Sequence, residues 1–118
     1  MGFANIKKNW EYGQVELTAG ETVYEVARLR GGESITIKAL SGNSGNAYIG
    51  SDKLLTITNG FQLDSSETLT LTLPITFGED NEIVIYAVTD NAGDSVCYVK
   101  LIGLFPSTEG STGPATQT

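Results

Sequence analysis

The chain has no histidine and a single cysteine, Cys97. Without histidine there is no Ser-His-Asp triad and no Cys-His pair, and the usual zinc and haem ligand sets are missing. One cysteine excludes an intrachain disulfide, so packing has to supply the stability. Basic residues are scarce, 7 against 14 acidic, for a formal charge of −7. Gripping phosphate backbones needs clustered Lys and Arg, so nucleic acid is not an expected partner. Moderate acidity also keeps a small β protein soluble and its sheet edges apart, so it need not encode a partner. No stretch approaches the roughly 20 apolar residues of a membrane span, and Met1 to Lys8 contains no run of signal-peptide length. Neither membrane insertion nor secretion is expected.

What the chain does have is alternation. Ile35, Ile37 and Ala39 fall on one face with Ser34, Thr36 and Lys38 on the other, and Leu69, Leu71 and Leu73 oppose Thr68, Thr70 and Thr72. A period of two is a half-buried strand, apolar inward and polar outward. Between these runs, Ala47-Tyr48-Ile49-Gly50 reads as a strand, and Asn59-Gly60 is expected to supply the positive backbone angles of a tight reversal before Phe61 and Leu63.

The remaining segments follow the same logic. Tyr12 to Leu17 reads as a first strand and Thr22 to Leu29 as a second, whose mixed pattern suits an edge or a strand whose outer face meets another chain. Ile83 to Val88 is apolar on both faces, as in a strand covered on both sides or one forming an interface. Asp90-Asn91-Ala92-Gly93-Asp94 is a turn that joins it to a strand from Ser95 to Ile102. The sum is an all-β fold: an antiparallel two-layer sandwich, jelly-roll-like, of seven or eight strands with extended N- and C-terminal arms. Residues 1–11 form the expected N-terminal arm, 12–105 the sandwich domain and 106–118 a tail with almost no apolar surface to offset the entropy of ordering.

Chemistry-bearing patterns are few. Cys97, in phase with Val99 and Leu101, reads as a buried small hydrophobe rather than a nucleophile. Gly42-Asn43-Ser44-Gly45-Asn46 lacks the lysine and following helix of a phosphate loop and reads as a turn. Glu79-Asp80-Asn81-Glu82 and Asp90 with Asp94 could give oxygen ligands to calcium if loops converged, but neither has the spacing of a dedicated calcium loop, and solvated turns are the better reading. Trp10, Tyr12 and Tyr48 could stack on sugars, although they are too scattered in sequence to define a platform. The chain is expected to be neither an enzyme nor a cofactor carrier.

From about Val23 to Leu101, the succession Ser34-Ile35-Thr36-Ile37, Ala47-Tyr48-Ile49-Gly50, Asn59-Gly60-Phe61-Gln62-Leu63, Glu67-Thr68-Leu69-Thr70-Leu71, Ile85-Tyr86-Ala87-Val88 and Val96-Cys97-Tyr98-Val99 resembles small β-sandwich virion structural proteins of tailed phages and related viruses. The chain departs from that pattern at Asp64-Ser65-Ser66-Glu67, which has no glycine before the glutamate, and in a longer loop from Pro74 to Asn81. The resemblance implies a capsid decoration or auxiliary protein on the virion surface, with the major capsid protein and copies of itself as partners. Phe3, Lys7, Lys8 and Trp10 in one arm, Pro106 and Pro114 in the other, and the outer face of Val84, Tyr86 and Val88 are the expected contacts. A glycan- or receptor-binding module of a virion fibre or tail, meeting host-surface glycans, is the alternative.

Overall fold

The computed structural model describes residues 10–78 and 80–101. They form eight strands: β1 (Trp10–Leu17), β2 (Tyr24–Arg30), β3 (Ser34–Ala39), β4 (Ala47–Gly50), β5 (Phe61–Leu63), β6 (Thr68–Thr72), β7 (Glu82–Thr89) and β8 (Asp94–Leu101). A single 3₁₀ turn, Ile75–Phe77, is the one helical element among the described residues. The strands make two four-stranded antiparallel sheets, in the order β1-β8-β3-β6 and β2-β7-β4-β5. The sequence-predicted sandwich is therefore the architecture. Its pairing is nested: β4 with β5 innermost, then β3 with β6, β2 with β7 and β1 with β8.

The core lies between the sheets. Leu17, Ile35, Ile37, Ala39 and Val96 project from the first sheet towards Ala27, Leu29, Ala47, Ile49, Leu63, Ile85 and Ala87 from the second. Several of these are fully buried, each contributing about 1.5–3 kcal/mol relative to an exposed side chain. A smaller cluster sits on the other side of the second sheet, where Leu55 covers Tyr48 and Val88.

Three local expectations change, and that of an edge strand at β2 is met with its irregularity explained. β1 starts at Trp10, whose Cα partner is Leu101, so the arm expected over 1–11 gives up its last two residues to a strand. β2 has a register shift between Glu25 and Ala27, and this bulge turns both Val26 and Ala27 into the core. That accounts for the mixed pattern of this strand, which is an edge strand.

Asn59 and Gly60 do not reverse the chain with positive φ; that conformation belongs to Glu21, Ser66, Gly32, Gly78 and Gly93. Gly60 is needed for space instead. A Cβ there would lie 2.6 Å from Leu55 Cδ1 and 2.8 Å from Tyr48 Cβ. Asn59 ties the segment locally: its Oδ1 accepts from Thr56 N–H at 2.7 Å, and its Nδ2 donates to the Leu54 carbonyl at 3.2 Å.

Cys97, expected in the core, is half-buried on the outer face of the first sheet. The apolar phase of β8 that faces inward is Val96 and Tyr98, while Val99 and Leu101 share the outward side with the thiol.

Candidate interaction surfaces

The loop carboxylates are taken up by the fold. Asp94 is 5% exposed, and its two oxygens accept from Ser44 N–H at 3.0 Å, Gly45 N–H at 2.8 Å and Asn91 Nδ2 at 3.0 Å. Burial alone would raise its pKa, but those three donors outweigh burial and hold the carboxyl below its ordinary value. Asp90 accepts from Asn46 N–H at 2.8 Å and from the Tyr48 hydroxyl at 3.2 Å. These acidic side chains therefore pin the Gly42–Asn46 turn to the β7–β8 turn. Among the described residues no group of three or more Cys, Asp and Glu side chains is placed to hold a metal ion.

At the opposite end of the sandwich, Lys100 lies on the inner face and is nearly buried, its side chain 12% exposed. Its ammonium donates to the Arg28 carbonyl at 2.8 Å and lies 3.7 Å from Glu33 Oε1 and 3.8 Å from Glu11 Oε1. Tyr98 donates to Glu11 Oε2 at 3.3 Å. Burial, reinforced by the Glu11 charge, pushes its phenol above the ordinary value. This polar cluster joins β1, β8 and β2 in place of apolar packing.

The outer face of the first sheet brings together three of the six exposed large hydrophobic side chains among the described residues. The register places Trp10, Leu101, Ser34 and Thr72 in one row, Tyr12, Val99, Thr36 and Thr70 in the next, and Gln14, Cys97, Lys38 and Thr68 in the third. Trp10 is 46% exposed, Tyr12 67% and Leu101 55%. The Trp10 and Tyr12 rings lie 5.0 Å apart with a 34° tilt. Thr36 and Thr70 are linked through their hydroxyls at 3.0 Å. Exposed apolar surface rimmed by polar residues is characteristic of a contact surface.

The outer face of the second sheet does not offer the apolar stripe expected from Val84, Tyr86 and Val88. Val88 is fully buried beneath Leu55 and Tyr48, Tyr86 is half-buried against the same cluster, and Val84 is half-buried. This is a correction: residues 51–60 fold over β4 and β7 and cover them from within the chain. Beside Val84 the surface is charged, with Arg28 bridging Glu25 at 2.9 Å and Glu82 at 3.3 Å. Tyr48, one of three aromatics considered for sugar stacking, is buried here, whereas Trp10 and Tyr12 do come together.

Phe3, Lys7, Lys8, Pro106 and Pro114 lie outside the described residues. Tyr12, Val99 and Leu101 share the outer face with Trp10. The common phase of Cys97, Val99 and Leu101 reads in the sequence as inward-facing, and the structure turns it outward.

One cleft opens between the sheets on the side where β6 and β5 form the two edges. Its volume is about 420 Å³, and its apolar lining comes from Ile49, Phe61, Leu69, Leu71, Ile83 and Ile85. Phe61, 57% exposed, stands at its lip. Comparison with family models, curated proteins and solved structures yields no match.

Proposed function

We propose that this protein is a virion structural component that sits on the outer surface of a capsid and bridges neighbouring capsid subunits. The observation that carries the reading is the pairing of Trp10 with Leu101. Residues 1–9 and 102–118 join the sandwich at these two adjacent positions, beside the exposed Trp10, Tyr12 and Leu101 side chains. The chain thus enters and leaves the described sandwich at one end, beside these side chains, and we take that end as the attachment zone. Simultaneous contact by two segments and a face raises effective affinity by as much as ~10²–10⁴ without any strong individual contact.

The nested strand order gives further support. We read it as a jelly roll of eight strands, a layout used by viral capsid and lectin domains. That layout is an analogy at the level of fold, and the attachment zone bears the functional argument.

A second reading, a glycan-binding module of a fibre or tail, is favoured by the Trp10–Tyr12 pair, since adjacent exposed rings suit a sugar face. Sedimentation with capsids of the source virus separates the two, using the full chain, chains lacking 1–9 or 102–118, and Tyr12→Ala. Capsid binding that falls with each deletion supports decoration. Full binding after both deletions removes the arms from the account, and sugar binding on a glycan array that Tyr12→Ala abolishes, without capsid binding, replaces decoration by the second reading.

A further inference from the structure

β6 closes the first sheet on the cleft side, with β3 as its one strand neighbour among the described residues. Soluble proteins usually protect such an edge with a charge, a proline or a bulge. Thr68-Leu69-Thr70-Leu71-Thr72 has none of these. No charged residue occurs from Thr68 to Gly78, the first proline is Pro74 beyond the strand, and the register with β3 is unbroken.

The direction of its free main-chain groups follows from two hydrogen bonds. Leu73 N–H donates to the Glu33 carbonyl at 2.9 Å, and Ala39 N–H donates to the Glu67 carbonyl at 3.0 Å. Alternate residues of an antiparallel strand address the same neighbour. The Glu67 carbonyl and residues Leu69, Leu71 and Leu73 therefore turn towards β3, and Thr68, Thr70 and Thr72 present N–H and C=O to the open edge. The side chains follow the same period, with Leu69 and Leu71 directed into the cleft.

This strand reads identically in both directions about Thr70. A second copy running antiparallel would set Thr70 against Thr70 and Thr68 against Thr72, all residues whose main-chain groups point outward. Leu69 would then oppose Leu71 as a non-hydrogen-bonded pair, with Cα atoms about 4.5 Å apart. A slip of one residue would break the hydrogen-bond match and place leucine against threonine. Although each chain carries a charge of −7, Glu67 falls opposite Leu73, so no like charges meet in this register.

We propose that β6 is a self-pairing edge through which two copies join about a two-fold axis at Thr70. The two first sheets become one continuous sheet, and Leu69 and Leu71 of each copy close the cleft mouth of the other. Phe61, at the lip of each cleft, loses exposure in the same step. This pairing rests on the sandwich alone and is independent of the virion reading.

Sedimentation equilibrium of the full chain over a range of concentrations tests it, with Thr70→Pro and Thr70→Lys alongside and circular dichroism to verify the fold. Proline removes an outward N–H without touching the β3 ladder, and lysine sets like charges face to face. The expected result is a reversible dimer for the unaltered chain and at least a roughly tenfold larger dissociation constant for each folded variant. The Thr68, Thr70 and Thr72 amides are expected to lose exchange protection on dilution. Should Thr70→Pro fail to fold, Thr70→Lys and the amide exchange decide. A monomer at every concentration, a dimer untouched in a folded variant, or a Thr70 amide equally exposed at high and low concentration would each overturn the proposal.

Discussion

Lys100 Nζ, on the inner face of the first sheet, donates a 2.8 Å hydrogen bond to the Arg28 main-chain carbonyl on the second. It spans the two layers at the end where Trp10 pairs with Leu101, and Glu33 and Glu11 flank it at 3.7 and 3.8 Å. A nearly buried ammonium is tolerable because these acceptors replace water.

Lys100→Met ends the side chain at Cε, one atom short of the ammonium, and leaves the Arg28 carbonyl, Glu33 and Glu11 without that donor. Lys100→Met is expected to cost about 2–3 kcal/mol in urea unfolding, and adding Glu33→Gln recovers part of the loss, because the remaining buried charge is then removed. A loss no larger than that of an exposed lysine variant would show that the contact is incidental.

Asp94 gives a pH dependence of defined sign. Its folded carboxyl titrates below its ordinary value, so folding favours the ionised form. That stabilisation is complete above the unfolded value and is lost as pH falls through the folded one. Asp94→Asn should therefore lower stability at pH 7 and flatten the acid side of the stability profile. Asp94→Ala, which strands the donors of Ser44, Gly45 and Asn91, should cost about 2–3 kcal/mol at pH 7.

The cover over β4 and β7 depends on Gly60 and Leu55 fitting together. Gly60→Ala is expected to destabilise by about 1–3 kcal/mol through overpacking, and Leu55→Ala by about 2–4 kcal/mol through the cavity above Val88. Because the new methyl group meets Leu55 Cδ1, the double variant should lose less than the sum of the two. Thermal melts of the three variants measure this, and strict additivity would argue against the contact.

Much of the sandwich was legible because β3 and β6 each have one clean apolar phase, which leaves a strand only one way to face the core. The readings that failed involve longer-range contacts. The β2 bulge adds a residue that breaks the period, so Val26 and Ala27 cannot both be placed inward by alternation. β8 has apolar residues in both phases, and only its position between β1 and β3 shows that Val96 points in and Cys97 out. Val88 looked available for a partner because nothing local indicates that Leu55, far away in sequence, folds onto it. The juxtaposition of Trp10 and Leu101 was hidden for the same reason, since they become neighbours only through the outermost pairing of the nest.

Trp10 is the single tryptophan, so its fluorescence reports directly on that zone. Being 46% exposed, it should emit as a largely solvated indole in the free protein and shift to shorter wavelength when a partner covers it. Trp10→Ala is expected to weaken capsid binding while changing stability by less than about 1 kcal/mol. An unshifted emission in the bound state would place the contact elsewhere.

The most direct test of the decoration reading is the number of copies bound per major capsid subunit, counted on capsids of the source virus after sedimentation with saturating protein. A simple, saturable ratio to the shell protein, lowered by deletion of 102–118, is the predicted result. No binding to the shell, or only a handful of copies per particle, would contradict it.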